Sequence, residues 1–417
     1  MIKLKKKSKL GAGRSSNVFN VFKDHEANWV FRRTLEYMSE KAAEIGECLY
    51  VAGKINEKDS QSWIDQWEEL AKKLEDGAEE ALKGGYNVSA KELFLRACNY
   101  YRTAEYGALP THPKFHTLWE KSRNCFHKAC SLFEAPIHII EVPFDGKKLP
   151  GYFWRPDNSS KKRPTLFSVG GNDSSGEEVV LIDGPAAIRR GYNFFTFEYP
   201  GHRGTVHLYP DCVKRPDMEI PFKAAFDYLE TLPGTDDRIA LAGYSFGGYV
   251  VSRAAVYEKR IKALIPNSPL IDVFRAQQKM LASMKRIPRP LVVKLMNWKI
   301  NRSPLMASMM ALAMWNSGFK DHSVPAMLKA MAQVDPDEWS IKNDLNKINC
   351  PTLALVGDGE GDELILQAKE FYRGISSVQK DLYIFSLEKD GSDDHCQLDN
   401  RTRGSQIMFD WLDRVFK

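Results

Sequence analysis

The sequence lacks any C-x-x-C pair or zinc-ligand spacing among its 7 cysteines, and neither charge dominates. Cys48, Cys98, Cys125, Cys130, Cys212, Cys350 and Cys396 form an odd, scattered set. That pattern fits reduced thiols, so a disulfide framework is not expected and a cytoplasmic location is. No apolar run approaches the ~18 residues that a membrane span needs, so stable membrane insertion is not expected. The start, Met1-Ile2-Lys3-Leu4-Lys5-Lys6-Lys7, is basic without a following apolar segment, and no secretory signal is expected there. Lys plus Arg is 59 against 54 Asp plus Glu, a net +5, and no basic run is interleaved with aromatics. A nucleic-acid partner is therefore not expected.

What is present is an ordinary globular composition, 43% hydrophobic and 27% charged, which excludes a disordered or fibrous chain. At 417 residues the chain exceeds one minimal domain, so it holds two domains or one large domain with additions. Residues 1–134 read as a helical domain. Trp29, Val30, Leu35 and Met38, then Trp63, Trp67, Leu70 and Leu74, recur near helical spacing. Asp59-Ser60 and Asn87-Val88-Ser89 look like helix starts, and Gly84-Gly85 like a helix end. No fixed-period self-similarity marks a repeat protein. From residue 135 to 417 the pattern changes. A hairpin is predicted from Ile137–Phe144 and Leu149–Trp154 around Asp145-Gly146. Apolar strands follow at Thr165–Val169, Tyr192–Phe197, Ile239–Ala242, Ala263–Asn267, Thr352–Val356 and Leu382–Leu387, with helices near 177–190 and 217–231. Alternation of this kind implies an α/β fold with a mostly parallel sheet covered on both faces. Residues 273–345 break the rhythm and read as a helical cap insertion before the acid-bearing strand. Within it, Lys279–Lys299 reads as a basic amphipathic helix, better suited to cap a site than to lie on a membrane.

The strongest chemical signal is Gly243-Tyr244-Ser245-Phe246-Gly247-Gly248, which follows an apolar strand and opens a helix. A sharp strand-to-helix turn exposes the serine oxygen, and small neighbours permit its close packing, as in the nucleophile elbow of the α/β-hydrolase fold. A serine needs a base to take its proton. In that fold the order is serine, acid, histidine, and His395 is the one histidine beyond residue 322. The acid should follow Thr352–Val356. Glu360 stands three residues after Gly357 and is preferred, with Asp362 and then Asp358 as alternates. One oxyanion N–H is expected from Phe246, the other from Asn172, with Gly171 close behind, in the turn Gly170-Gly171-Asn172-Asp173. Tyr100, Tyr101, Arg102 and Glu105 read as packing residues, and His202 and His207 as loop residues. No cofactor or metal site is read.

The chain resembles the α/β-hydrolases of the FrsA-like esterase type, a group that includes 2,6-dihydroxypseudooxynicotine hydrolase and the fungal heptaketide (yellowish-green pigment) hydrolases. The resemblance rests on Arg96–Tyr106, Leu149–Pro156, Gly170–Glu178, Arg215-Pro216-Asp217, the Ser245 elbow and Asp394–Gln397. Tyr199-Pro200-Gly201-His202-Arg203-Gly204 departs from the Gly-Pro-Gly-Gln-Gly often found in similar proteins. The resemblance implies that residues 1–134 form a lid. It also implies a serine hydrolase acting on a small or medium acyl or ketone substrate. Ester bonds, or carbon–carbon bonds beside a ketone in polyketide-like secondary metabolism, are the bonds it allows. A thioesterase or cyclase that releases a biosynthetic intermediate, and a catalytically silent ligand-binding protein, stay open as alternatives. A small-molecule substrate is the expected partner, and apolar residues on the first helices fit a homodimer.

Overall fold

Eight short runs rich in β-branched and aromatic residues pair into one mixed sheet in the computed structural model, which describes residues 20–284 and 287–417. The strands are β1 (His138–Phe144), β2 (Lys147–Trp154), β3 (Arg163–Val169), β4 (Asn193–Phe197), β5 (Thr235–Tyr244), β6 (Ile261–Asn267), β7 (Thr352–Gly357) and β8 (Lys380–Phe385). Their spatial order is β1-β2-β4-β3-β5-β6-β7-β8. β2 runs antiparallel to β4, and the pairs from β4 through β8 are parallel. Every residue of β4 and of β7 is buried, as a strand covered on both faces requires. Asp145 and Gly146, both at positive φ (49° and 69°), make the two-residue turn between β1 and β2.

The chain divides into two compact units. The α/β unit holds residues 140–284 and 333–417. The helical unit holds the described residues of 20–139 and 287–332, so the middle of the 273–345 insertion groups with the N-terminal helices. The basic start of the sequence lies outside the described residues.

In the α/β unit, Phe167 on β3 meets Phe195 edge-on at 4.7 Å and stacks on Phe222 at 5.7 Å. Helix Glu219–Leu229 supplies Phe222, Ala225, Phe226 and Leu229 to this core, a spacing that keeps them on one helix face. Each such aromatic contributes about 1.5–3 kcal/mol by leaving water. Helix Gly176–Arg189 starts with a capping box between Ser175 and Glu178.

The helical unit is held by Ser60–Lys83, Asn87–Glu105 and Phe115–Cys130. Trp63 donates from Nε1 to the Thr103 carbonyl at 2.8 Å, and Trp67 lies 5.4 Å from the Tyr100 ring. Tyr100 and Tyr101 are buried and donate to Glu47 and Glu75, each at 2.7 Å, and Arg102 donates to Tyr106 at 2.8 Å. Helix Pro304–Trp315 belongs to the same unit: Ser308 Oγ donates to the Gly107 carbonyl at 3.1 Å, and Trp315 meets Phe115 edge-on at 5.1 Å.

Four local expectations change. The helix expected over Lys279–Lys299 is two helices, Arg275–Met284 and Arg289–Ile300; Pro288 caps the second, because proline cannot continue a helix interior but suits its start. The last strand is shifted to Lys380–Phe385, because Ser386 caps a short helix that begins at Leu387. Asp59 caps its helix as expected, by accepting from Gln61 N, but the cap position before Asn87 is Tyr86, which makes no side-chain cap bond. His202 is a loop residue as expected, the extended cap position before helix Arg203–Leu208, but His207 lies within that helix, and both are buried. The seven cysteines are free, six of them buried, and among the described residues no helix is long and apolar enough to cross a membrane.

Candidate active site

Ser245 stands between the end of β5 and helix Phe246–Tyr257 with φ 59° and ψ −120°. A non-glycine residue at positive φ is strained and persists only where its surroundings enforce it. Here the Ser245 N–H donates to the Asn267 carbonyl at 2.6 Å, and its carbonyl accepts from Gly248 N at 2.8 Å. The glycines of the motif make room for this turn. A Cβ on Gly247 would lie 2.5 Å from the Gly170 carbonyl, well inside van der Waals contact. A Cβ on Gly171 would lie 2.8 Å from Ser245 Cβ, so the turn after β3 passes directly against the serine.

That turn and the start of helix Phe246–Tyr257 thus lie side by side. Tyr199 fixes the turn by donating from its hydroxyl to the Gly170 carbonyl at 2.9 Å. Asn172 turns its Oδ1 to the Lys214 ammonium, which donates to it. The Phe246 ring packs on Tyr249 at 5.8 Å and Trp339 at 6.2 Å, and Lys214 Nζ lies 5.4 Å from its centroid.

At the C-terminal ends of β7 and β8 the chain brings an acid to the histidine. Glu360 ends a single 3-10 turn, Asp358–Glu360, that follows β7 directly. Its side chain is wholly buried; Oε1 accepts from Gly357 N at 2.6 Å. Oε2 accepts from His395 Nδ1 and from the Ser268 hydroxyl. Asp362 instead opens helix Asp362–Gly374 and is exposed, and Asp358 opens the 3-10 turn, half-buried. His395 heads another short 3-10 turn, where its own N–H donates to Asp394 Oδ1 at 2.8 Å. Asn267 at the end of β6 donates to Gln397 Oε1 at 2.7 Å and ties this loop to the sheet. With Nδ1 engaged by the carboxylate, Nε2 is the ring nitrogen left for proton transfer. Burial opposes charge on the ring, but the Cys396 sulfur and the Glu360 carboxylate outweigh it and hold the His395 pKa well above the usual imidazole value.

Three neighbours were not singled out from the sequence. Ser268 shares the carboxylate oxygen that His395 uses. Lys214, whose pKa burial lowers to about 8 although Asp173 pulls it up, reaches Asn172 from 42 residues away. Glu198 is buried and accepts from Gly176 N at 2.9 Å, Gly204 N at 2.5 Å and His202 Nδ1 at 3.0 Å. Lys214 alone had a signal within reach, since it abuts Arg215-Pro216-Asp217. Among the described residues no cluster of three or more His, Cys, Asp and Glu is arranged to hold a metal ion. A cleft of about 410 Å³ lies in the helical unit, lined by Tyr50, Lys54, Glu69 and Lys73 among others and by none of the candidate site residues.

A parallel sheet with a serine elbow after a central strand and an acid and histidine after later ones defines an α/β-hydrolase. The family model for FrsA-like esterases matches residues 53–375. The chain belongs to that family, and is a hydrolase of esterase type. Among curated proteins it is similar to the 20-hydroxy-prefusarin hydrolase FUS2 of Gibberella moniliformis, 29% identical over 95% of this chain and 98% of that protein. It is 27% identical to the α/β hydrolase gkaG of Penicillium citrinum over 86% of this chain and 89% of that one. Among solved structures, 2,6-dihydroxy-pseudo-oxynicotine hydrolase superposes with a TM-score of 0.70 at 20% identity, covering 91% of this chain and 95% of that one.

Proposed function

We propose that the protein is a serine hydrolase in which Ser245 attacks a carbonyl carbon. His395 Nε2 takes the serine proton, while Glu360 orients the ring and stabilises its charged form. The N–H groups of Phe246 and Asn172 receive the oxyanion. The observation that carries this reading is the buried Glu360 carboxylate on His395 Nδ1, in a chain whose serine sits strained at a strand-to-helix elbow. The substrate on this reading is a small or medium polyketide-like acyl ester or ketone of secondary metabolism. Its support is the set of fungal hydrolases among the relatives, one of which is named for 20-hydroxy-prefusarin. Seven free cysteines support a reducing, cytoplasmic setting. Exposed Ile45, Leu49 and Tyr50 on one short helix support a homodimer, which light scattering tests.

The test of the mechanism is labelling with a fluorophosphonate, read by intact mass, on the wild type, Ser245→Ala and His395→Ala. In this reaction Ser245 Oγ bonds to phosphorus, the P–F bond breaks, fluoride leaves, and the serine proton passes to His395. Only the wild type should gain the adduct mass at a practical rate. On an ester that the wild type cleaves, Ser245→Ala should lose on the order of 10⁶ in kcat. A wild type that never labels, or a Ser245→Ala variant that labels equally, would overturn the assignment and favour a ligand-binding protein.

A further inference from the structure

Lys214 is a cation with an unusual position. Its stem passes so close to Gly201 that a Cβ there would lie 2.2 Å from Lys214 Cγ and 2.5 Å from Lys214 N. Gly201 stands at φ 81° and donates its N–H to the Cys212 carbonyl at 2.8 Å, which locks the two segments together. The lysine is thus threaded through a passage built for it. At the far end its ammonium donates to Asn172 Oδ1 and lies over the Phe246 ring. Asn172 and Phe246 are the two residues from which the proposed oxyanion donors come. An ammonium has three donors, and among the described residues Asn172 is the one hydrogen-bond acceptor for it. Lys214 as a residue is half-buried.

We propose that Lys214 is a positioning residue of the oxyanion hole: through Asn172 it fixes the turn after β3, and it sets a positive charge beside the oxyanion. The proposal rests on the serine-hydrolase reading above. A fixed cation beside a water-poor site stabilises developing negative charge at little reorganisation cost. It does so only while protonated. The charged group facing it is Asp173, which favours the ammonium; Arg203 reaches the carbonyl of that same Asp173 at 3.5 Å. Because burial has brought the lysine to about 8, rate should fall on the alkaline side as it loses its proton.

The experiment measures the second-order rate of fluorophosphonate labelling against pH for wild type, Lys214→Met, Lys214→Arg, Asn172→Ala and the Asn172→Ala/Lys214→Met double variant. Lys214→Met should label about 10- to 100-fold more slowly, less than the roughly 100- to 1,000-fold cost of losing an oxyanion donor itself, and should lack the alkaline fall. On a cleaved ester its loss should be in kcat, with KM little changed. Lys214→Arg keeps the charge far above pH 8, so most of the rate should return and the alkaline fall should move upward. The double variant should be no slower than the slower of the two single variants, because the two side chains act as one unit. A Lys214→Met rate and pH profile equal to wild type would overturn the proposal. So would a Lys214→Arg profile with an unmoved alkaline fall, a result that stands even where the methionine variant fails to fold. Failure of the serine reading looks different: wild type itself does not label, or Ser245→Ala does.

Discussion

A buried carboxylate on a histidine nitrogen does two things at once, and they separate with pH. Glu360 holds His395 in the tautomer with its proton on Nδ1, and it stabilises the charged ring. The raised His395 pKa means the base must lose a proton before it can accept one from Ser245. Hydrolysis is therefore expected to rise with pH along a limb displaced upward from that of a free imidazole. Glu360→Gln removes the negative charge, so that limb should move to lower pH while kcat falls on the order of 10⁴-fold, the cost of losing the orienting acid in a comparable triad. A pH–rate profile of both forms checks this, and an unmoved limb would mean that Glu360 does not set the base. The same shift bears on stability. Its folded-state pKa is raised, so the pair stabilises the fold below the unfolded imidazole pKa, and that contribution is lost as pH rises through the folded-state value. Ser268→Ala takes one donor from the same buried oxygen. It should cost about 1–3 kcal/mol of stability in urea unfolding, because the carboxylate keeps its desolvation and loses a partner. At this scale the sequence was legible where chemistry is local. Ser245 announces itself by its flanking glycines, and His395 by standing alone late in the chain. Ser268 did not, since its partner is 92 residues away and nothing near it in sequence is unusual.

Elements succeed or fail by what meets them. The elbow works because β5, helix Phe246–Tyr257 and the turn after β3 approach without side chains between them. Gly247→Ala would press a methyl into the Gly170 carbonyl at 2.5 Å. About 1–3 kcal/mol of destabilisation is expected from such overpacking. Because Gly170 adjoins the Gly171–Asn172 turn, fluorophosphonate labelling should slow even in the fraction that stays folded. Labelling at the wild-type rate would show that the turn absorbs the shift elsewhere. Strand positions were readable from their apolar runs, since β3, β4 and β7 are buried on both faces. The insertion misled for a physical reason. Its basic residues look like one charged helix face, yet Arg275 and Lys279 are each 2.5 Å from the Glu363 carboxylate on helix Asp362–Gly374. A charge committed to a partner beyond the window reads, from sequence alone, like a charge facing water.

On the scale of the whole molecule, the chain enters and leaves the α/β unit more than once, and no local pattern predicts which pieces rejoin. Residues 287–332 belong with 20–139, although the bond from Ser308 to Gly107 spans 201 residues. The Phe115–Trp315 ring pair is the aromatic part of that junction. Such pairs contribute about 0.5–1.5 kcal/mol beyond the area they bury. Trp315→Ala should thus loosen the helical unit as a block. A single melting temperature would blur the effect, because a chain of two units need not unfold in one step. Amide hydrogen exchange resolves it. In the variant, protection should fall together in helices Phe115–Cys130 and Pro304–Trp315, while helix Phe246–Tyr257 of the α/β unit keeps its wild-type exchange. Loss confined to Pro304–Trp315 would mean that the inserted helices only rest on the N-terminal ones. Loss in both, with fluorophosphonate labelling of Ser245 retained, would show that the helical unit folds as one body from two distant stretches of sequence and that the elbow keeps its geometry without that body's full stability.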